Sequence, residues 1–177
     1  METVNKGSGA GGANTNKNGL SWEAKTNISS CLEEIGNEKL FIRYKIDFRE
    51  YLWPKSKTGL SKILENMRDK NVKPMHGCKQ PDESFIDMSN KKIVILEKKF
   101  QNHGGSVCEK LQTVDAKIYN FQKMYPDFEI HYVYCLNDWF KTNCVAELEY
   151  LNYKNIKFFW GESEDFRESF CNYLRDL

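Results

Sequence analysis

Apolar positions along the chain alternate between helical spacing and short continuous or period-two runs. Val107, Leu111, Val114, Ile118 and Phe121 recur at helical intervals and Pro126 closes the run, so residues 106–125 are predicted to form the longest helix. Leu60, Ile63, Leu64 and Met67 make a second stripe within 59–70. In "LSWEAKTNISSCLEEIG", Ala24, Ile28, Leu32 and Ile35 make a third, with Ser21 as cap, Gly36 as stop, and Glu23 and Lys25 in the first turns. "NDWFKTNCVAELEYLNYKN" and "SEDFRESFCNYLRDL" read as two more helices.

"SFIDM" and "KIVILEKKF" flank "SNKK", whose Ser-Asn pair suits a tight turn, so the two runs predict a β-hairpin. "HGGS" then breaks the strand, and "EIHYVYCL" and "IKFFW" are further strands. "EKLFIRYKIDFREYLW" alternates apolar and charged positions only in part and leaves a strand and an irregular connection both open. After the hairpin the order αβαβα predicts an α/β sandwich.

Composition sets the frame for these elements. With 177 residues, 40% of them hydrophobic and 14% aromatic, the chain fits one globular domain. Residues 1–18 are rich in Gly, Asn, Ser and Ala without an apolar period, which predicts a disordered arm ahead of a single domain at 19–177. No apolar stretch approaches the ~18–20 residues of a membrane span, and no basic-then-apolar leader precedes the domain. Six cysteines without a CxxC pair read as reduced packing thiols, the expectation for a cytoplasmic protein. A net charge of +1 hides local basic stretches at Lys55–Lys62 and Arg68–Lys79, which suit either a solvated surface or one facing phosphates.

The candidate chemistry sits where the hairpin's second strand ends. Side chains alternate across a strand, so Glu97, Lys99 and Gln101 point to one face while Lys98 and Phe100 point to the other. The preceding arm folds back alongside and brings Asp82 to the same sheet margin. Two carboxylates can hold Mg²⁺ through hard oxygen ligands, and an adjacent ammonium can orient or activate a water for attack on phosphorus. Asp87 also precedes Glu97 on the hairpin and competes with Asp82 for the metal, as Lys98 competes with Lys99. Glu23 in a first helical turn suits the helix dipole or an acid of the site. Ser106 and Glu109 read as a capping box. His76 and His103 lack zinc spacing, and Trp22, Trp53, Trp139 and Trp160 read as core or edge residues more readily than as base-stacking platforms.

Pro81-Asp82, fourteen residues, then Glu97-Lys98-Lys99 resembles the PD-(D/E)XK nuclease motif. "PDESFID", "ILEKKFQ" and "GSVCEKLQT", in this order, resemble small type II restriction endonucleases of that superfamily, over roughly Gly19 to Trp160. The resemblance implies a restriction-endonuclease-like α/β core, a central mixed sheet flanked by helices. It also implies Mg²⁺-dependent, sequence-specific cleavage of double-stranded DNA, often by a homodimer. Asp82 and Glu97 become metal ligands, Lys99 the catalytic lysine, Glu23 an additional acid and Gln101 a same-face neighbour of the motif. A repair, recombination or homing nuclease with the same core, and a catalytically silent nucleic-acid-binding module, are the alternatives.

Overall fold

The computed structural model describes residues 21–67, 77–104 and 106–177. The predicted N-terminal arm, His76 and most of the second basic stretch lie outside the described residues. One mixed sheet carries the fold: β1 (Glu33–Asn37), β2 (Phe41–Ile46), β3 (Arg49–Pro54), β4 (Glu83–Asp87), β5 (Lys92–Lys99), β6 (Glu129–Leu136) and β7 (Phe158–Trp160). Its seven strands lie in sequence order, antiparallel from β1 to β5 and parallel from β5 to β7. The change of direction follows from the connections. Short turns join β1 to β2, β2 to β3 and β4 to β5, and a longer connection containing the helix Gly59–Asn66 brings β4 back antiparallel to β3. The parallel neighbours are joined by the crossovers of a dozen or more residues that they need. Those crossovers are helical: α3 (Glu109–Gln112) and α4 (Val114–Met124) lead to β6, and α5 (Trp139–Asn143) and α6 (Val145–Tyr153) lead to β7.

Helices cover both faces. On one, Ile93 and Ile95 of β5 pack with Leu60, Ile63 and Leu64 of α2 (Gly59–Asn66) and with Leu111, Val114 and Phe121. On the other, Val94 and Leu96 pack with Phe85 and Val133, with Trp22 of the helix α1 (described over residues 21–25), and with Phe166, Phe170 and Leu174 of α7 (Phe166–Asp176). Burial on both faces is why Ile93 to Leu96 reads as an unbroken apolar run. The chain is therefore α/β, with a seven-stranded mixed sheet flanked by helices.

The hairpin at Glu83–Lys99 has the expected form, and the segment left open is a second hairpin, β2–β3, with Ile46 paired to Arg49. Other expectations need correction. The helix expected over 20–36 stops at Lys25, because the Thr26 hydroxyl donates to the Trp22 carbonyl (2.8 Å) and Asn27 Oδ1 accepts from the Ser29 N–H (2.8 Å). Such local side-chain bonds compete with helix continuation. Ser29–Cys31 forms a single 3-10 turn, and Gly36 sits in β1 at an irregular register instead of ending a helix. A Cβ there would approach the Arg43 guanidinium to 2.7 Å.

The long helix at 106–125 divides at Thr113, whose hydroxyl bonds back to the Lys110 carbonyl (2.8 Å). Its predicted capping box does not form, since α3 begins at Glu109 with Cys108 as cap and without a side-chain cap bond. The helix at 137–155 breaks likewise at Cys144. Cys108 and Cys144 are joined in a disulfide, which corrects the reading of six free thiols; Cys31, Cys78, Cys135 and Cys171 remain free.

Candidate functional site

Three charged clusters meet where β5 ends beside the chain entering β4. On the α4 side, Glu97 Oε1 accepts from Lys99 Nζ at 2.5 Å and from Lys117 Nζ at 3.4 Å. The Tyr132 phenol lies near Glu97, and burial together with that carboxylate's charge drives its pKa far up. Lys117 lies against the rings of Tyr132 and Tyr134 at 5.6 and 5.5 Å. Burial pushes its ammonium below the ordinary lysine value, and Glu97 opposes that shift.

Asp82 stands at the sheet margin between the two faces. Its Oδ2 accepts from the Lys98 backbone N–H (3.0 Å) and lies 4.0 Å from Lys99 Nζ, so Lys99 lies between Asp82 and Glu97. Its Oδ1 accepts from Lys57 Nζ at 3.0 Å, and the same ammonium reaches Glu23 Oε1 at 3.1 Å. Burial disfavours charge on Lys57, but the Asp82 and Glu23 carboxylates outweigh it and hold the lysine above its ordinary value.

The third cluster is internal. Lys98 turns to the opposite face, where its Nζ bonds Glu83 Oε1 (2.5 Å) and the carbonyls of Thr26 (3.0 Å) and Glu23 (3.3 Å). The lysine side chain has no exposed surface. Burial raises the Glu83 pKa by more than Lys98 lowers it. The pair fastens α1, and with it the backbone of Glu23, to the sheet.

Of the residues singled out by sequence, Asp82, Glu97 and Lys99 converge directly, and Glu23 joins them through Lys57. Gln101 lies just beyond β5, where both its backbone groups are held by the Asn137 side chain at 3.0 and 2.9 Å. Asp87 lies at the other end of the hairpin, paired with Lys92, and accepts from Asn90 N–H (2.9 Å) and Asn90 Nδ2 (2.7 Å). It holds the turn. His103 is exposed, and Trp22 is core, while Trp53, Trp139 and Trp160 are half-buried.

Lys57, Glu83 and Lys117 were not singled out. Lys57 sat within the lysine-rich stretch noted above, whereas Lys117 is three residues from Val114 and four from Phe121, on the apolar stripe itself, a signal that spacing could have provided.

The donor set suits Mg²⁺, which is usually held by one or two carboxylates together with waters and substrate phosphate. Asp82 and Glu97 already share one ammonium, so a divalent cation would replace a monovalent partner. Among the described residues, the group of three that brings ligand atoms within 4.8 Å of one another is Cys108, Cys144 and Glu147, so Glu23, Asp82 and Glu97 do not form a closed three-carboxylate cage.

Beside Asp82, on the Lys98 face, lies an open cleft of about 500 Å³ whose walls include Glu23, Lys57, Tyr44, Trp53 and Lys55. Among the described residues no helix is long and apolar enough to cross a membrane. Compared with protein-family models, curated protein sequences and solved structures, the chain finds no match.

Proposed function

We propose that this chain is a Mg²⁺-dependent endonuclease of the PD-(D/E)XK type, hydrolysing phosphodiester bonds of double-stranded DNA at specific sequences as a homodimer. Its mixed sheet, with the catalytic hairpin followed by a helical crossover to a parallel strand, would then be a restriction-endonuclease-like core. The observation that carries the reading is Lys99 Nζ between Glu97 Oε1 (2.5 Å) and Asp82 Oδ2 (4.0 Å) at one sheet margin.

Asp82 and Glu97 would hold the metal, which when bound polarises the scissile phosphate and lowers the pKa of a water. Lys99 orients that water through its ammonium, and Lys117 holds the Glu97 carboxylate from behind. Lys57 reaches Asp82 and Glu23 from the cleft side, where it can neutralise a backbone phosphate. The Lys98 N–H fixes the rotamer of Asp82, so strand register sets the spacing of the two carboxylates.

Digestion of plasmid DNA with and without Mg²⁺ tests the reading. Discrete bands that require the metal support a site-specific enzyme. Smears or structure-selective nicks favour a repair or recombination nuclease, and binding without cleavage favours a silent DNA-binding module.

A further inference from the structure

We propose that the cleft beside Asp82 receives one unstacked nucleotide of the cleaved strand, with its base against Trp53. The inference rests on the nuclease reading above and adds a substrate preference to it, for DNA that is bulged or easily opened next to the cut.

The cleft has two chemically different ends in one cavity. Asp82, Glu23 and Lys57 form the polar end, which shares Asp82 with the carboxylate pair that would handle the scissile phosphate, while Glu97 stands outside the cleft. Trp53, Tyr44 and Ile42 form the apolar end. Ile42 is the cross-strand partner of Trp53, so the β2–β3 register places both on the same face. The indole packs against Tyr44 and Phe85, with both ring centroids 5.3 Å away and tilted by 46° and 42°, which holds its plane before any ligand arrives.

Lys55 closes the rim, its ammonium bonded to Asn37 Oδ1 (2.5 Å) and to the Glu38 carbonyl. Small-molecule sites occupy roughly 300–1,000 Å³, so about 500 Å³ accommodates a nucleotide.

A flat, preset aromatic wall one cavity away from a phosphodiester-cleaving centre suits a base more than it suits a sugar or a peptide. Bases inside a duplex cannot reach a concave wall, so the nucleotide must leave the stack, which is least costly where it is unpaired. Stacking on an aromatic side chain then repays part of that cost regardless of base identity. The sequence suggested core or edge positions for the tryptophans; Trp53 is half-buried and lines the same cleft as Asp82.

The test is equilibrium binding of the full chain, in Ca²⁺ to suppress cleavage, to a fluorescein-labelled duplex and to the same duplex carrying a single-nucleotide bulge. Wild type is expected to bind the bulged DNA about tenfold more tightly. Trp53→Ala and the cleft-filling, non-aromatic Ser29→Leu are both expected to remove the difference, and Trp53→Phe to keep part of it. Ser29 is exposed, so its variant keeps the test decisive should Trp53→Ala fail to fold. With 2-aminopurine in the bulge, wild type should quench its emission by stacking, and Ser29→Leu should not.

Equal affinity for the two DNAs, or an unchanged preference in Ser29→Leu, overturns the proposal. Parallel assays in Mg²⁺ separate it from its premise. Cleavage that ignores Trp53 sinks the pocket alone, bulge preference without cleavage sinks hydrolysis alone, and no binding to either DNA sinks both.

Discussion

Lys98 and Lys99 carry the same side chain at adjacent positions, and the pleat of β5 sends them to opposite fates. The Lys98 side chain has no exposed surface and is saturated by Glu83 and two carbonyls of the α1 segment, whereas the Lys99 side chain is 21% exposed and sits between Asp82 and Glu97. The first is a structural clamp, and the second stands where substrate can reach it. Sequence composition cannot separate two neighbouring lysines; burial and partner type can. A buried ion pair is tolerated when further hydrogen bonds complete it, and breaking it from one side is costly. A charge at an open margin can change partners when a metal or phosphate arrives.

The comparison breaks most visibly on the Lys99 face. Asp82→Ala and Glu97→Ala should each reduce Mg²⁺-dependent cleavage below detection while DNA binding persists, measured by plasmid digestion and a filter-binding assay. On the Lys98 face the corresponding loss is stability. Glu83→Ala leaves the Lys98 ammonium buried without its carboxylate and should cost about 3–5 kcal/mol, read as a drop in melting temperature on the order of 10 °C.

Asp87, on the same face as Glu83 but at the far end of β4, should act only through the turn. Asp87→Ala forfeits two bonds to Asn90, a loss of about 1–3 kcal/mol in chemical denaturation, while cleavage by the folded fraction is retained.

The smallest effect is electrostatic. Burial holds His131 below its ordinary value of 6.5, so the native state favours the neutral ring. Stability from this group is present above pH 6.5 and lost as pH falls through the lowered native pKa. Any melting-temperature advantage of wild type over His131→Gln should therefore shrink between about pH 7.5 and about pH 5.

Much of the sheet was legible because β5 is apolar on both faces and its hairpin carries turn residues at the right interval. The alternation of Glu97, Lys98 and Lys99 was legible for the same reason, since a two-residue period leaves no freedom once the strand is placed. The start of the domain was not. Ala24, Ile28, Leu32 and Ile35 keep helical spacing, yet Thr26 and Asn27 divert the backbone by hydrogen bonds that spacing does not register. Lys57 was invisible as a site residue because it reaches Asp82 and Glu23 from a loop 25 and 34 residues away, a contact fixed by tertiary packing. The pairing of Cys108 with Cys144 depends in the same way on two separate crossovers meeting.

The most direct measurement takes Lys98→Ala and Lys99→Ala side by side, recording single-turnover cleavage at saturating Mg²⁺ and the melting temperature of each. Lys99→Ala should lose about 10²–10⁴ in rate and keep the wild-type melting temperature. Lys98→Ala should melt well below wild type yet cleave, at a temperature where it is folded, far faster than Lys99→Ala. A Lys98→Ala protein that is stable and inactive beside a Lys99→Ala protein that cleaves normally would contradict the account, and with it the assignment of Glu97 to the active face.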